Sequence, residues 1–339
     1  MRQFKNLILP ILLLVFAVVL AVQYIYDARN KKSNKPPQYQ TPKYVSQLTP
    51  ESEQRLLDEI DKISLKTAVR IKAFKASDNL SLTASKFGGL PYWQPEKPYP
   101  TDEKGNKMIL LAQINWAEVP HLPDFPEHGI LQFFVSAGEE PVYRNGMFVA
   151  PNSNFLYGAD FDNPLAQKNW RAVYHEQIDE NIDKQAVMAL DIPVASRDYN
   201  LPFFHSYKLD FELQENRLGV AYFPEFKRVL KIAAQNAEIK MTDNDIEEPY
   251  KILGDELSNK LFRRNEGHWI GAYPFFTQTA PQEAESLKDY TVLLLQIDTD
   301  EENGNDIMWG DAGVGNFFIT PDDLKKRDFS RVLYTWDCY

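Results

Sequence analysis

The chain has 339 residues, 44% of them hydrophobic and 13% aromatic, with a net charge of −11. This is enough apolar material for a packed core and excludes a disordered chain. The acidity argues against a nucleic-acid partner, whose phosphates need a basic face, and the lone cysteine, Cys338, excludes both an internal disulfide and a cysteine-based zinc site.

The first stretch differs from the rest. Residues 1–47 hold seven Lys or Arg against the single acid Asp27, so the remainder is more acidic than the net charge suggests. Leu7–Tyr26 contains no charged residue. Twenty helical residues span about 30 Å, the thickness of a bilayer interior. The segment therefore predicts a membrane partner and a single-pass protein of a bacterial inner membrane, with residues 1–29 as the transmembrane anchor and its flanks. A cleaved secretion signal is the competing reading: Arg2 and Lys5 form a basic start, and Val19-Leu20-Ala21 offers a cut site that lacks alanine at its third position back. The basic residues Arg29, Lys31, Lys32 and Lys35 after the span favour the cytoplasmic side for the large domain. Residues 30–48, rich in Lys, Asn, Gln and Pro, read as a tether.

From residue 49 to 339 a single domain is expected. Thr49-Pro50-Glu51 is a helix start, and Leu56, Leu57, Ile60 and Ile63 carry the helix to about Ser64. Val69, Ile71 and Ala73 alternate with charged residues as a half-exposed strand, and Leu80, Leu82 and Ala84 suggest another. Ile109–Ile114 and Val292–Ile297 are apolar on both faces and predict central strands, paired with Ile130–Val135 and Phe317–Ile319. Leu209–Phe211, Val220–Phe223 and Ile239 suggest further strands, and Tyr250–Arg263 a helix. Two helix starts follow the paired strands, a doubtful one at Ser136 and a convincing one at Thr320-Pro321.

Part of the chain occurs twice. Phe87-Gly88-Gly89-Leu90-Pro91 is echoed by Ile270-Gly271-Ala272-Tyr273-Pro274, and Leu110–Gln113 by Leu293–Gln296. Gly88 to Gln113 is 25 residues, as is Gly271 to Gln296. Gly129–Phe134 matches Gly313–Phe318 with a slip of one residue. The expected fold class is α+β, mainly antiparallel β and internally duplicated, with pseudo-repeats at about 80–140 and 263–325 and a few peripheral helices.

Candidate chemistry is sparse. The stretch Asp298–Asp306 is dense in carboxylates and of the kind that binds calcium, with Asp298, Asp300 and the nearby Asp311 as candidate ligands, although the EF-hand spacing fails, with Asn303 where glycine belongs and Trp309 where glutamate belongs. The plainer reading is a solvated hairpin with Asn303-Gly304 as its turn. Trp309, Gly310 and Asp311 suit a ligand wall beside a carboxylate, and equally a tight turn whose tryptophan caps the core. Gln113 and Gln296 occupy one repeat position and are candidates either for ligand binding or for satisfying buried backbone. The five histidines form no zinc-protease spacing, and no phosphate loop or nucleophile elbow occurs, so no catalytic residue is named.

The blocks Ser85–Pro91, Leu110–Asn115, Gly129–Phe134, Leu294–Asp298 and Met308–Gly313 with Phe317–Ile319, in this order, resemble the YwqG-like family, a bacterial family of unknown function. The resemblance covers roughly residues 55–339 and implies a mainly β, roll-like fold with internal duplication. It brings no catalytic residue or cofactor, and the Leu7–Tyr26 segment departs from it. The function expected is a membrane-tethered, non-catalytic binding domain for a protein or small molecule. The alternative is a metal-dependent hydrolase using Asp298, Asp300 and Asp311.

Overall fold

A computed structural model describes residues 44–76, 80–136, 142–144, 147–149, 157–197 and 199–339. Among them no helix is long and apolar enough to cross a membrane. This overturns the expected single-pass inner-membrane protein with its domain at the cytoplasmic face. The Leu7–Tyr26 segment, most of the tether and the Ser136-x-x-Glu139 helix start lie outside the described residues.

Val45–Tyr339 forms one compact unit. It opens on helix α1 (Pro50–Ser64), which begins where Thr49 caps Ser52 N–H. Leu56 and Ile60 point into the core and are fully buried. Each contributes about 1.5–3 kcal/mol of apolar burial. Then come β1 (Lys66–Ala76), β2 (Lys86–Phe87), β3 (Ile109–Asn115), β4 (Ile130–Val135), a small hairpin of β5 (Val142–Arg144) and β6 (Met147–Val149), and β7 (Trp170–His175). Helix α2 (Lys184–Met188) leads to β8 (Ser206–Asn216). Helices α3 (Phe223–Asn236), α4 (Asp243–Glu247) and α5 (Tyr250–Phe262) follow, then β9 (His268–Ile270), β10 (Val292–Asp298), β11 (Val314–Ile319), α6 (Pro321–Lys326) and β12 (Leu333–Asp337).

Ten strands make one antiparallel sheet in the order β12-β11-β10-β9-β1-β8-β2-β3-β4-β7. The long strands β1 and β8 pair at the centre through eleven residues, Lys66 opposite Asn216 to Ala76 opposite Ser206. Each centre strand then reaches across to the short strand of the other half: β1 to β9 and β8 to β2. The sheet curls until its wings meet, placing Phe133 of β4 and Phe317 of β11 with ring centroids 4.3 Å apart. The enclosed face holds the main core, including Val69, Ile71, Leu111, Phe133, Ile297 and Trp309. Helices α1, α3 and α5 cover the outside of the β9–β11 wing over Trp269, Leu293 and Phe318. The structure is thus a mainly antiparallel β fold with a few helices.

The two wings carry the same local bonds. The Gln113 side chain accepts from Tyr92 N–H (2.9 Å) and donates to the carbonyls of Leu82 and Ala84. Gln296 accepts from Phe275 N–H (2.8 Å) and donates to the carbonyls of Asn265 and Gly267. A bulge interrupts β3 between Leu110 and Ala112, and β10 between Leu293 and Leu295. Gly88 and Gly271 take φ of 64° and 72°, and their N–H groups donate to Leu111 and Leu293 carbonyls. At Gly88 a Cβ would sit 2.6 Å from the His205 carbonyl oxygen, so glycine is required there.

Three expectations fail. Leu80–Ala84 is not a strand, because side-chain amides rather than a neighbouring backbone satisfy its carbonyls. Val220–Phe223 is the entry to α3, with proline in the first turn and Phe226, Val229, Leu230 and Ala233 buried at helical spacing. Ile239 follows that helix in a loop. The predicted Tyr250–Arg263 helix forms, with a break at Gly254 (φ 77°) against Ser46.

Candidate functional site

A cleft of about 600 Å³ opens where β1, β9 and the end of β10 meet the β10–β11 loop. Strand alternation sends His268 of β9 to the enclosed face and Trp269 to the helices. His268 is 3% exposed and meets the Phe87 ring edge-on at 5.3 Å. Its Nδ1 accepts the Asp298 N–H at 2.9 Å, which fixes the proton of the neutral ring on Nε2. That nitrogen faces Asp300 Oδ2 at 3.3 Å.

The two carboxylates of the cleft differ. Asp298 accepts from Gly267 N–H through Oδ2 and from Thr299 N–H through Oδ1. Burial nevertheless pushes its pKa up to about 6, against the pull of those N–H groups and of His268. Asp300 also suffers burial, but His268, the Asn305 amide and Glu302 N–H outweigh it and hold its carboxyl below the ordinary range. Asn305 also donates to the Ala73 carbonyl at 2.9 Å, pinning the loop to β1. Arg70 stacks over Trp269 (4.8 Å to the ring centroid) and donates to the Glu266 carbonyl. Burial lowers Arg70, opposed mainly by Asp298, and a guanidinium stays charged throughout.

Most cations of this cleft are already paired. Arg263 faces Glu266 at 3.3 Å and Lys72 faces Glu212 at 3.0 Å. Glu301 and Glu302 line the mouth and are exposed. The cleft is therefore lined by five acids against Arg70, Lys72 and Arg263, with Asp298 buried and Asp300 half-buried.

At the offset that pairs Gln113 with Gln296, the other wing repeats part of this frame with neutral side chains at Ser85 and Asn115, and there the Ser85 N–H donates to the Glu118 carboxylate at 2.8 Å. Asn115 N–H donates to Ser85 Oγ at 2.9 Å, as Asp298 N–H donates to His268 Nδ1. Asn115 Oδ1 accepts the Ala117 N–H two residues on, whereas Asp298 Oδ1 accepts the N–H of the very next residue, Thr299, so this bond is not repeated. The offset that pairs Gln113 with Gln296 thus places Ser85, Asn115 and Ala117 where His268, Asp298 and Asp300 stand.

Of the site residues read from the sequence, Asp298 and Asp300 meet in the cleft, whereas Asp311 is exposed on the next turn and is absent from its lining. Among the described residues no group of three or more His, Cys, Asp or Glu side chains is arranged to hold a metal ion. Trp309 is fully buried against Tyr157 and Trp336, and stands over Gly315, so it offers no wall to a ligand. Gly310 donates to Tyr157 OH, and the Asp311 carbonyl accepts from Tyr339 N–H. Gln113 and Gln296 are fully buried and occupied by backbone groups. The loop is more than a solvated tip: Asn303-Gly304 turns at its end, but Asn305, Ile307 and Trp309 fold back into the core. His268 and Arg70 escaped the sequence reading. The signal for His268 was its place three residues before Gly271, as Ser85 stands three residues before Gly88.

One prediction follows from Asp298. Its folded pKa lies above the ordinary 3.8, so the folded state holds this proton more tightly than the unfolded chain does. The group's contribution to stability is largest below pH 3.8 and is lost as pH rises to about 6, a change of up to about 3 kcal/mol. Urea unfolding of wild type and Asp298→Asn across pH 4–7 should show the variant lacking this decline. Parallel curves would place the Asp298 pKa at its ordinary value.

No curated protein matches the chain. One family matches residues 85–338, which hold both wings except β1 and all the cleft residues except those of β1 and Tyr339. The chain belongs to that family, the one described as Domain of unknown function (DUF1963).

Proposed function

We propose that this chain is a non-catalytic binding domain whose β9–β10 cleft takes a small organic cation, an ammonium or guanidinium. The reading rests on one observation: the backbone bond that Asn115 makes to the neutral Ser85 in one wing is made in the other by Asp298 to His268, beside Asp300 in the cleft. The outward runs β9-β10-β11-β12 and β2-β3-β4-β7 on either side of the β1–β8 pair, and the matched glutamine clamps, support descent of the two wings from one duplicated unit closing as a roll, one copy later specialised. The ordered sequence blocks support a place near the YwqG-like members. Asp298 and Asp300 supply charge, while Glu301 and Glu302 draw the cation to the mouth. Trp309, Gly310 and Asp311 brace the loop that carries them.

The hydrolase reading gains no support from the cleft. Asp311 stands outside it, so of the three carboxylates that reading needs only Asp298 and Asp300 share the cleft.

Isothermal titration with agmatine, which carries both cationic groups, tests the proposal. At pH 7.5 saturable binding is expected. At pH 5 it should weaken several-fold, because Asp298, with its pKa near 6, is then mostly neutral. Asp300→Asn should weaken it at least tenfold at pH 7.5. Absence of binding, or binding indifferent to both changes, would refute the proposal.

A further inference from the structure

A second pocket, of about 420 Å³, lies on the outer face of the other wing, between β2, the start of β8 and the segment around α2. Its size falls among small-ligand pockets, about 300–1,000 Å³. The walls are mostly apolar: Leu80, Leu90, Met188, Ile192, Val194 and Phe204. Met188 and Val194 remain 52% and 41% exposed at its rim, an uncovered apolar mouth in a chain of net −11.

The pocket wall also carries Lys86, 1% exposed. Its ammonium donates to the carbonyls of Ser81 (2.6 Å), Leu90 (3.1 Å) and Leu82 (3.2 Å). Three carbonyl dipoles solvate the ammonium but leave its net charge unneutralised, and no ion pair to a carboxylate is formed by Lys86 among the described residues. Burial lowers this lysine to about 7, and Lys184 in the same wall lowers it further, with only Glu118 acting in the opposite sense. A buried charge without a counter-ion is costly, and an anion in the cavity removes that cost. His205, also in the lining, faces Asp306 at 3.1 Å, so that acid is engaged elsewhere. Among the described residues Asp191 is the one acid of the lining, and it is exposed.

We infer that this pocket binds an amphipathic monocarboxylate, its apolar chain against Met188, Ile192, Val194 and Phe204 and its carboxylate toward Lys86 and Lys184. The site is separate from the acidic cleft and takes the opposite charge. Ammonium and carboxylate attract strongly where water is excluded, and the chain gains the apolar burial that the rim lacks.

The test is calorimetric titration of the full chain with decanoate and with 1-decanol. Wild type should bind decanoate saturably, at least tenfold tighter than decanol. Lys86→Met keeps the length of the side chain without the charge, and should lose at least tenfold in decanoate affinity while decanol binding and agmatine binding stay unchanged. Met188→Glu, at an exposed rim position that tolerates substitution, should weaken decanoate at least tenfold without altering the thermal midpoint. This variant decides the matter if Lys86→Met does not fold. No saturable decanoate binding by wild type, or decanoate affinity unchanged in Met188→Glu, would overturn the inference. Loss of agmatine binding alone bears on the cleft and not on this pocket.

Discussion

Replacing Gln296 by leucine should destabilise the protein by about 3–6 kcal/mol and lower Tm by roughly 10 °C or more. The side chain is fully buried and its volume is nearly kept, so the loss comes from polar groups left without partners. Phe275 N–H loses its acceptor, and the carbonyls of Asn265 and Gly267 lose a donor. Each orphaned buried group costs about 1–3 kcal/mol. Gln113→Leu should cost as much, because Tyr92 N–H, the Ala84 carbonyl and Gln132 Nε2 lose a partner, although the Leu82 carbonyl keeps its bond from Lys86. Differential scanning calorimetry of the two variants checks this. Losses below about 1 kcal/mol would mean that the glutamines are not the clamps of the two wings.

Gly313→Ala should be still more damaging, at about 4 kcal/mol or above. An added Cβ would lie 1.8 Å from the Asp337 carbonyl oxygen and 2.7 Å from the Cys338 Cβ, so backbone rather than a flexible side-chain tip must move. Gly313 also takes part in the loop's own bonds, donating to the Trp309 carbonyl and accepting from Thr299 N–H. The added methyl therefore drives β12 away from β11 and loosens the loop that carries Asp298 and Asp300. By contrast, Gly304→Ala meets no atom within 4 Å and faces only its positive φ of 79°. It should cost about 1 kcal/mol. Chemical unfolding of the pair separates the two effects. A Gly313→Ala variant as stable as Gly304→Ala would show that the β11–β12 end gives way to the added methyl at little cost.

What the sequence made legible was periodicity. The Thr49-Pro50 start, the alternation about Val69 and the doubly apolar runs at Ile109 and Val292 predicted elements that all form. Short or edge elements were not legible: β9 has three residues and β12 lies at the end of the chain. The α3 helix was lost because Val220–Phe223 looks like a strand until Pro224 is taken as a first-turn residue. Side-chain capture of backbone, as at Leu80–Ala84, leaves no periodic trace.

The candidate site divides the same way. The density of carboxylates marked Asp298 and Asp300, which share the cleft. Asp311, Trp309 and Gly310 were drawn in by proximity along the chain, but a turn carries them out of it. Arg70 and His268 come from β1 and β9, and the strand crossing between halves brings them to Asp298.

The most direct test of the central claim is an NMR titration of the 15N-labelled chain with agmatine, because it reads both wings in one sample. If the charged frame is the binding site, the amides of Gly267, His268, Thr299 and Glu302 should shift together along one isotherm, while those of Ala84, Ser85 and Ala117 stay in place. Equal shifts in both wings, or none in either, would contradict it.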